Sequence, residues 1–356
     1  MKRLHMIVDM QFGSCGKGLF AGYLAKKVEP DTIVTAWAPN AGHTFIDNKT
    51  GENMVNISLP NGIVAPSVKR VMFGPGTIVN PAILLSEMER YSEYMGRIEL
   101  MIHQHAAVVT EMHRQREASY AFAIGSTMKG CGAALIDKIA RDPQHNNIAG
   151  KALLGTPLEG FLVTVEEYNA AIDKAETIVV EGAQGFSLGM NNGFYPYTTS
   201  RECTVQQLMV DCAIPAKLPV FGRHVHGVCR TYPIRVANRF DKDGAQVGTS
   251  GPGYFDQREL DWKADLGLEP ELTTVTRLPR RIFTFSAEQI KQAVRMNGID
   301  SVFLNFANYP MLRDTSGRTG SGLNGNISLM LDEINRTGAT VRWLGYGPAM
   351  QDIKEL

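Results

Sequence analysis

The chain has 356 residues, with 36 basic against 36 acidic side chains, a formal net charge of +0 and 44% hydrophobic content. That size supports a full core, and the balanced charge argues against a polyanion-binding surface, so polymeric nucleic acid is not an expected partner. No apolar run reaches the length of a membrane span, and Cys15, Cys131, Cys203, Cys212 and Cys229 lack C-x-x-C spacing. The expected setting is therefore cytoplasmic, with reduced thiols, no zinc and no membrane partner.

An apolar run, Leu4 to Val8, leads into Asp9-Met10-Gln11-Phe12-Gly13-Ser14-Cys15-Gly16-Lys17-Gly18 and then a helical stretch, Leu19 to Val28. Strand, glycine-rich turn, lysine and helix is a recurrent phosphate holder. Glycines let N–H groups approach the anion, the helix N-terminus adds its dipole, and the lysine adds a full charge. It is not a Walker A loop, because Gln11 stands where the first glycine belongs and Gly18 replaces the metal-binding hydroxyl.

Further along, short Val/Ile/Leu-rich runs predict strands over 33–37, 70–73, 99–103, 177–180, 301–306 and 341–344. Helical periodicity predicts helices over 81–94, 165–176, 287–297 and 324–336, with Ser286 and Gly298 as start and stop signals for the third. Asn48 to Gly51 reads as a hairpin turn, and 235–262 as polar and loop-rich. The alternation predicts an α/β fold with a mainly parallel central sheet flanked by helices. We expect a single large domain over 1–356, with loop-rich insertions around 40–60, 125–145 and 235–281.

Four other stretches carry unusual chemistry. Asn40-Ala41-Gly42-His43-Thr44 follows a strand, where parallel sheets place ligands. Gly125-Ser126-Thr127-Met128-Lys129-Gly130 is a second glycine-rich, lysine-bearing loop, running on to Asp137-Lys138-Ile139-Ala140-Arg141. Glu181-Gly182-Ala183-Gln184-Gly185 ends a buried-looking strand and is hard to explain as packing. Thr273 to Arg281 concentrates hydroxyls and guanidinium forks that suit carboxylates and phosphates.

In order and spacing these motifs resemble the adenylosuccinate synthetase family from end to end. Asp9 to Gly18 is similar to its Gly-x-Gln-Trp-Gly-Asp-Glu-Gly-Lys-Gly signature, with Asp9, Phe12, Ser14 and Cys15 substituted. Asn-Ala-Gly-His-Thr and Glu-Gly-Ala-Gln-Gly are intact, Tyr195 to Ser200 follows at the family spacing, and Gly345-Tyr346-Gly347-Pro348 resembles the C-terminal motif. The resemblance implies a P-loop-like adenylosuccinate synthetase fold. It also implies a ligase in which a nucleoside triphosphate phosphorylates the 6-oxygen of a purine nucleotide before aspartate displaces the phosphate.

Carried over residue by residue, Ser14, Lys17, His43 and Gln184 are the expected catalytic positions. The triphosphate is expected on Gly13, Ser14, Cys15, Gly16, Lys17, Gly18, Gly42, His43, Thr44, Gln184, Asn305, Asn308, Gly347 and Pro348. Mg²⁺ is the expected metal, on Ser14 and the Gly42 carbonyl. The monophosphate nucleotide is expected on Ser14, Asn40, Ser126, Thr127, Gln184 and Thr199, with Arg141 reaching it from the neighbouring subunit of a homodimer. Thr274, Val275, Thr276 and Arg280 are expected to clamp aspartate.

Two departures redirect that expectation. Ser14 replaces the family aspartate that takes the purine N1 proton, and a smaller side chain leaves room for the 2-amino group of guanine. Leu304-Asn305-Phe306-Ala307-Asn308 replaces the guanine-reading Thr/Asn-Lys-x-Asp, and Asn308 can both donate and accept, as an adenine edge requires. These substitutions resemble a bacteriophage branch of the family, from the 2-aminoadenine DNA pathway. The resemblance implies that dGMP and L-aspartate are joined with ATP or dATP as donor, giving N6-succino-2-amino-2'-deoxyadenylate. The alternatives are an ordinary enzyme using IMP and GTP, and a non-catalytic nucleotide-binding paralogue. The general base stays open among His43, Asp9, a water held by Ser14 and the triphosphate itself. Leu278 stands at the usual aspartate-loop arginine, leaving Arg277, Arg280 and Arg281 as candidates.

Overall fold

The computed structural model describes residues 2–218, 222–273, 278–309 and 327–356. Ten strands make one central sheet: β1 (Arg3–Asp9), β2 (Thr32–Thr35), β3 (Arg70–Phe73), β4 (Glu99–His103), β5 (Leu162–Val163), β6 (Thr177–Glu181), β7 (Gly222–Arg230), β8 (Ser301–Asn305), β9 (Thr340–Gly345) and β10 (Ile353–Glu355). Their spatial order is β10-β9-β8-β7-β1-β6-β2-β3-β4-β5. Every neighbouring pair is parallel except β9 with β10. The expected α/β fold is present.

Alternation along β1 divides the core. Leu4, Met6 and Val8 pack with Val180, Ile290, Val302 and Met330 on one face, and Ile7 packs with Phe20, Val179 and Phe303 on the other. The first face is covered by helices that include Val165–Lys174, Ala287–Asn297 and Ile327–Arg336. The second carries α1 (Lys17–Val28). No helix among the described residues is long and apolar enough to cross a membrane.

Two glycines set where the second face becomes a site. A Cβ on Gly18 would press on the Thr44 backbone, and one on Gly22 would overlap the Phe45 ring. The hairpin His43–Asp47/Glu52–Asn56 therefore lies directly on α1, which brings His43 to the start of that helix.

The strands at 70–73 and 99–103 and the helix at 287–297 fall where the sequence predicts them. The first predicted strand ends at Thr35, so Trp37 leaves the sheet, and the helix from Pro81 closes at Arg90 before a separate turn, Ser92–Met95. β7 is not predicted, and neither are the short edge strands β5 and β10, although β7 pairs with both β1 and β8. His224, His226, Gly227 and Arg230 interrupt the apolar run that a central parallel strand ordinarily shows.

Candidate functional site

Parallel register brings the carboxyl ends of β1, β2, β6, β7 and β8 to one edge, where the loops after them meet. Asp9, the last residue of β1, is 2% exposed. Its Oδ1 accepts from the N–H groups of Gln11 (2.9 Å) and Gly13 (3.2 Å), and its Oδ2 from the N–H of Cys15 (3.3 Å) and from Lys17 Nζ (3.1 Å). The turn is wrapped around a carboxylate, and four donors inside the chain occupy both oxygens. Lys17 also donates to the Gln184 carbonyl at 2.7 Å, tying α1 to the loop after β6. The N–H groups of Lys17 and Gly18 lie in the first helical turn, where no carbonyl of the helix can reach them, so they are free to face an anion.

Ser14 sits in the left-handed region at φ 56° with its side chain exposed, and its carbonyl accepts from Arg230 Nη1 at 3.2 Å. A non-glycine residue held there marks stored strain of the kind that collects at functional sites. Gly13 and Gly16, at φ 84° and 92°, supply the rest of the turn. Cys15 faces inward, its thiol against Gln11 Oε1 at 3.2 Å, and burial pushes that thiol up, so it is a packing group. Asn305 is also used internally: its Nδ2 donates to the Cys15 carbonyl at 3.1 Å and its Oδ1 accepts from the Phe306 N–H. Both polar atoms of its side chain are thus engaged within the protein, bracing the glycine turn.

His43 is buried and stacked on the Trp37 indole, with ring centroids 3.6 Å apart and planes 8° from parallel. Burial, with Lys17 second, pulls the imidazole down to about 3, so it is uncharged at neutral pH. Thr44 and Gly42 are exposed beside it. Gln184, at φ 61°, donates from Nε2 to Asn40 Oδ1 at 3.0 Å, linking the loops after β6 and β2. A small cavity beside this bond is lined by Asn40, Cys131, Gln184, Thr199 and Arg201. Three residues expected around the monophosphate nucleotide are thus brought together. Arg201, which the sequence reading did not single out, joins them, its Nη1 on the Ala36 and Gly76 carbonyls at 2.9 and 3.0 Å.

Ser126 and Thr127 lie on the neighbouring loop, where the Ser126 carbonyl accepts from Arg239 at 3.0 Å. Arg141 does not line the cavity. It closes the helix Cys131–Ala140 in a left-handed conformation with its side chain exposed.

At the other end of the site Asn308 is exposed and Phe306 half-buried, the latter at φ 59°. Thr231 Oγ1 donates to the Phe306 carbonyl at 2.9 Å, and the Arg230 guanidinium lies 3.8 Å from its ring centroid. Arg230 is fully buried and paired with Glu271, which also accepts from the Tyr309 hydroxyl. Gly347 and Pro348 follow β9, and the Gly345 carbonyl accepts from the Ala307 N–H at 2.8 Å, so the two segments run side by side. Arg280 donates from its backbone N–H to the Glu271 carbonyl (2.8 Å) and from Nε to the Leu272 carbonyl (3.4 Å). Thr274, Val275 and Thr276 lie outside the described residues. Trp37, Arg201, Arg230 and Glu271 escaped the sequence reading because each matters through a partner distant in the chain.

The sequence profile of adenylosuccinate synthetase matches residues 6–149 and 155–309. The N6-succino-2-amino-2'-deoxyadenylate synthase of Salmonella phage PMBT28 is 46% identical over 365 residues, covering 99% of this chain and 97% of that protein. The protein of the same name from Acinetobacter phage SH-Ab 15497 is 43% identical, covering 99% and 94%. Among solved structures, the succinoaminodeoxyadenylate synthetase of cyanophage S-2L, bound to dGMP and dATP as an energy donor, superposes with a TM-score of 0.88. It is 42% identical, and the match covers 100% of this chain and 95% of that one.

Proposed function

Because the chain belongs to the adenylosuccinate synthetase family, we propose that it is a C–N-forming ligase joining L-aspartate to C6 of dGMP, driven by ATP or dATP. The donor's γ-phosphoryl group passes to the purine 6-oxygen as the N1 proton leaves to one of the remaining candidate bases, His43, a water held by Ser14 or the triphosphate itself. The aspartate amine then attacks C6, the C–O bond breaks as phosphate leaves, and N6-succino-2-amino-2'-deoxyadenylate results. The observation that carries this reading is the meeting of Lys17, Gln184, Asn40 and His43 beside an exposed Ser14.

Lys17 and the first-turn N–H groups of α1 supply charge and dipole to the phosphoryl group in flight. An uncharged His43 has one N–H to donate, first to the developing charge on the 6-oxygen and then to the departing phosphate. Ser14 leaves space at purine C2 and offers an oxygen to the 2-amino group. We assign Asp9 to holding the turn, since its oxygens are filled by Gln11, Gly13, Cys15 and Lys17, and not to taking the purine proton.

Asn40, Ser126, Thr127 and Thr199 hold the monophosphate nucleotide, with Arg141 contributed by the partner of a homodimer. Thr274, Val275, Thr276 and Arg280 take the aspartate carboxylates. Ser14 and Gly42, both exposed and both offering hard oxygens, would hold Mg²⁺. An Mg²⁺ held there would supply charge neutralisation at the phosphates. An adenine base lies on Phe306 with Asn308 at its edge.

The test is phosphate release by purified protein with aspartate and Mg²⁺, crossing IMP, GMP and dGMP with ATP, dATP and GTP. Turnover confined to dGMP with an adenine triphosphate supports the proposal. Turnover with IMP and GTP would instead make this an ordinary adenylosuccinate synthetase, and no turnover with any pair would make it a non-catalytic nucleotide-binding paralogue.

A further inference from the structure

We propose that Trp37 is a positioning residue that fixes the plane of the His43 imidazole for phosphoryl transfer. The inference rests on the role given to His43 above. Trp37 stands two residues beyond the end of β2 with its indole 2% exposed. Indole Nε1–H donates to the Glu181 carbonyl at 2.9 Å, and Thr35 Oγ1 donates to the same oxygen at 3.1 Å. The Glu181 carboxylate accepts from the N–H groups of Gly62 (2.7 Å) and Asn61 (3.2 Å), so the strand end that anchors the indole is itself pinned. The indole has no freedom to slide.

On this fixed surface the imidazole lies nearly flat, 3.6 Å between centroids and 8° between planes. Aromatic pairs packed only for burial favour offset or edge-to-face arrangements at longer separations, so a close, near-parallel stack is a constraint on one of the partners. The constrained partner is the histidine. Its two side-chain torsions would otherwise let the ring swing, whereas the stack confines the N–H to one plane. Glu181, the last residue of β6, ties this support to the following loop, which carries Gln184 three residues further on.

The experiment compares wild-type protein with Trp37→Phe, Trp37→Leu, His43→Asn and the Trp37→Leu/His43→Asn double variant, each confirmed as folded by its melting transition. Steady-state phosphate release gives kcat and KM, and positional isotope exchange in the donor with dGMP but no aspartate reports phosphoryl transfer alone. A displacement of about 1 Å at a reacting group costs on the order of 10²-fold, so Trp37→Leu is expected to lose about that much in kcat and in exchange while the nucleotide KM values hold. Trp37→Phe, which keeps a flat face, should recover most of the loss. In the His43→Asn background Trp37→Leu should cost nothing further.

A loss carried by KM, or one that persists unchanged in the His43→Asn background, would show Trp37 to be ordinary packing. Full kcat in Trp37→Leu would overturn the inference alone. Should Trp37→Leu fail to fold, Trp37→Phe and its His43→Asn partner decide the matter, because a flat ring that supports no more turnover than His43→Asn also overturns it. Wild-type protein that turns over no nucleotide pair would overturn the parent reading and this inference together.

Discussion

Asp9→Asn isolates what holds the phosphate turn. The substitution keeps the shape of the side chain, and Oδ1 can still accept from Gln11 and Gly13. In place of Oδ2 it puts an NH₂ group, which meets the Cys15 N–H at 3.3 Å and the Lys17 ammonium at 3.1 Å, a donor facing two donors. Lys17 is 8% exposed and retains the Gln184 carbonyl as acceptor, so a buried cation loses its counter-charge. Removing one member of a buried ion pair typically costs about 3–5 kcal/mol, most of it the uncompensated charge. The retained carbonyl bond places the expected loss toward the lower end, about 3 kcal/mol, which urea-induced unfolding would register as a lower midpoint. Saturating ATP should return part of that stability, because its phosphates supply the missing negative charge to Lys17. A destabilisation below about 1 kcal/mol, or one that ATP leaves unchanged, would refute the view that the carboxylate and the ligand phosphate stabilise the same lysine.

Asn308→Asp should raise turnover with GTP relative to ATP by about 10- to 100-fold, since a carboxylate accepts from guanine N1–H and N2–H₂ and leaves adenine mismatched; an unchanged ratio would remove Asn308 from donor selection. Ser14→Asp should favour IMP over dGMP by about as much, read as the ratio of kcat/KM values. Arg141→Ala and Lys17→Ala proteins, each inactive alone, should regain phosphate release when mixed, because one hybrid site has its own lysine and the partner's arginine. Mixtures that stay inactive would place Arg141 outside the site. His226 and His5 are held down to about 3 and about 4 by burial, with their histidine neighbours adding to it, from an ordinary value of 6.5. Below pH 6.5 the unfolded chain therefore binds protons that the fold refuses, and stability should fall between pH 7 and pH 5 by about 1–2 kcal/mol per imidazole. His226→Gln should flatten that slope, measured by unfolding at each pH.

What was legible in the sequence is what depends on neighbours in the chain. The helix at 287–297 carries its own start and stop residues, and its observed ends coincide with them. Lys17, His43 and Gln184 were legible because each sits in a contiguous motif on a strand end. β7 was not, because His224, His226, Gly227 and Arg230 interrupt its apolar run, and the β1 and β8 strands that take its hydrogen bonds lie far away in the chain. Its His226 is satisfied by Ser301 at 2.8 Å and by His5 at 3.0 Å, partners a local reading cannot supply. Asn305 shows the converse. Its motif position points to a base, while the fold spends its amide on Cys15, because Gly16 lets the turn come so close that a Cβ there would overlap the Asn305 side chain.

The two departures that redirect the function are physically one cluster. Arg230 holds the carbonyl of Ser14 at 3.2 Å, and its guanidinium lies on the face of Phe306 at 3.8 Å. The same guanidinium pairs with Glu271, whose backbone carbonyl receives the Arg280 N–H at the edge of the proposed aspartate loop. A lysine at position 306 would put a second cation against this buried arginine, at a distance where like charges repel strongly, whereas an aromatic face attracts it. Phe306 is therefore compatible with Arg230 in a way a lysine there is not, and Arg230 in turn braces the turn that carries Ser14. With Phe306 at the donor base and Ser14 at the acceptor purine, as proposed above, the two changes share a support, so altering Phe306 alone should disturb both nucleotide sites together.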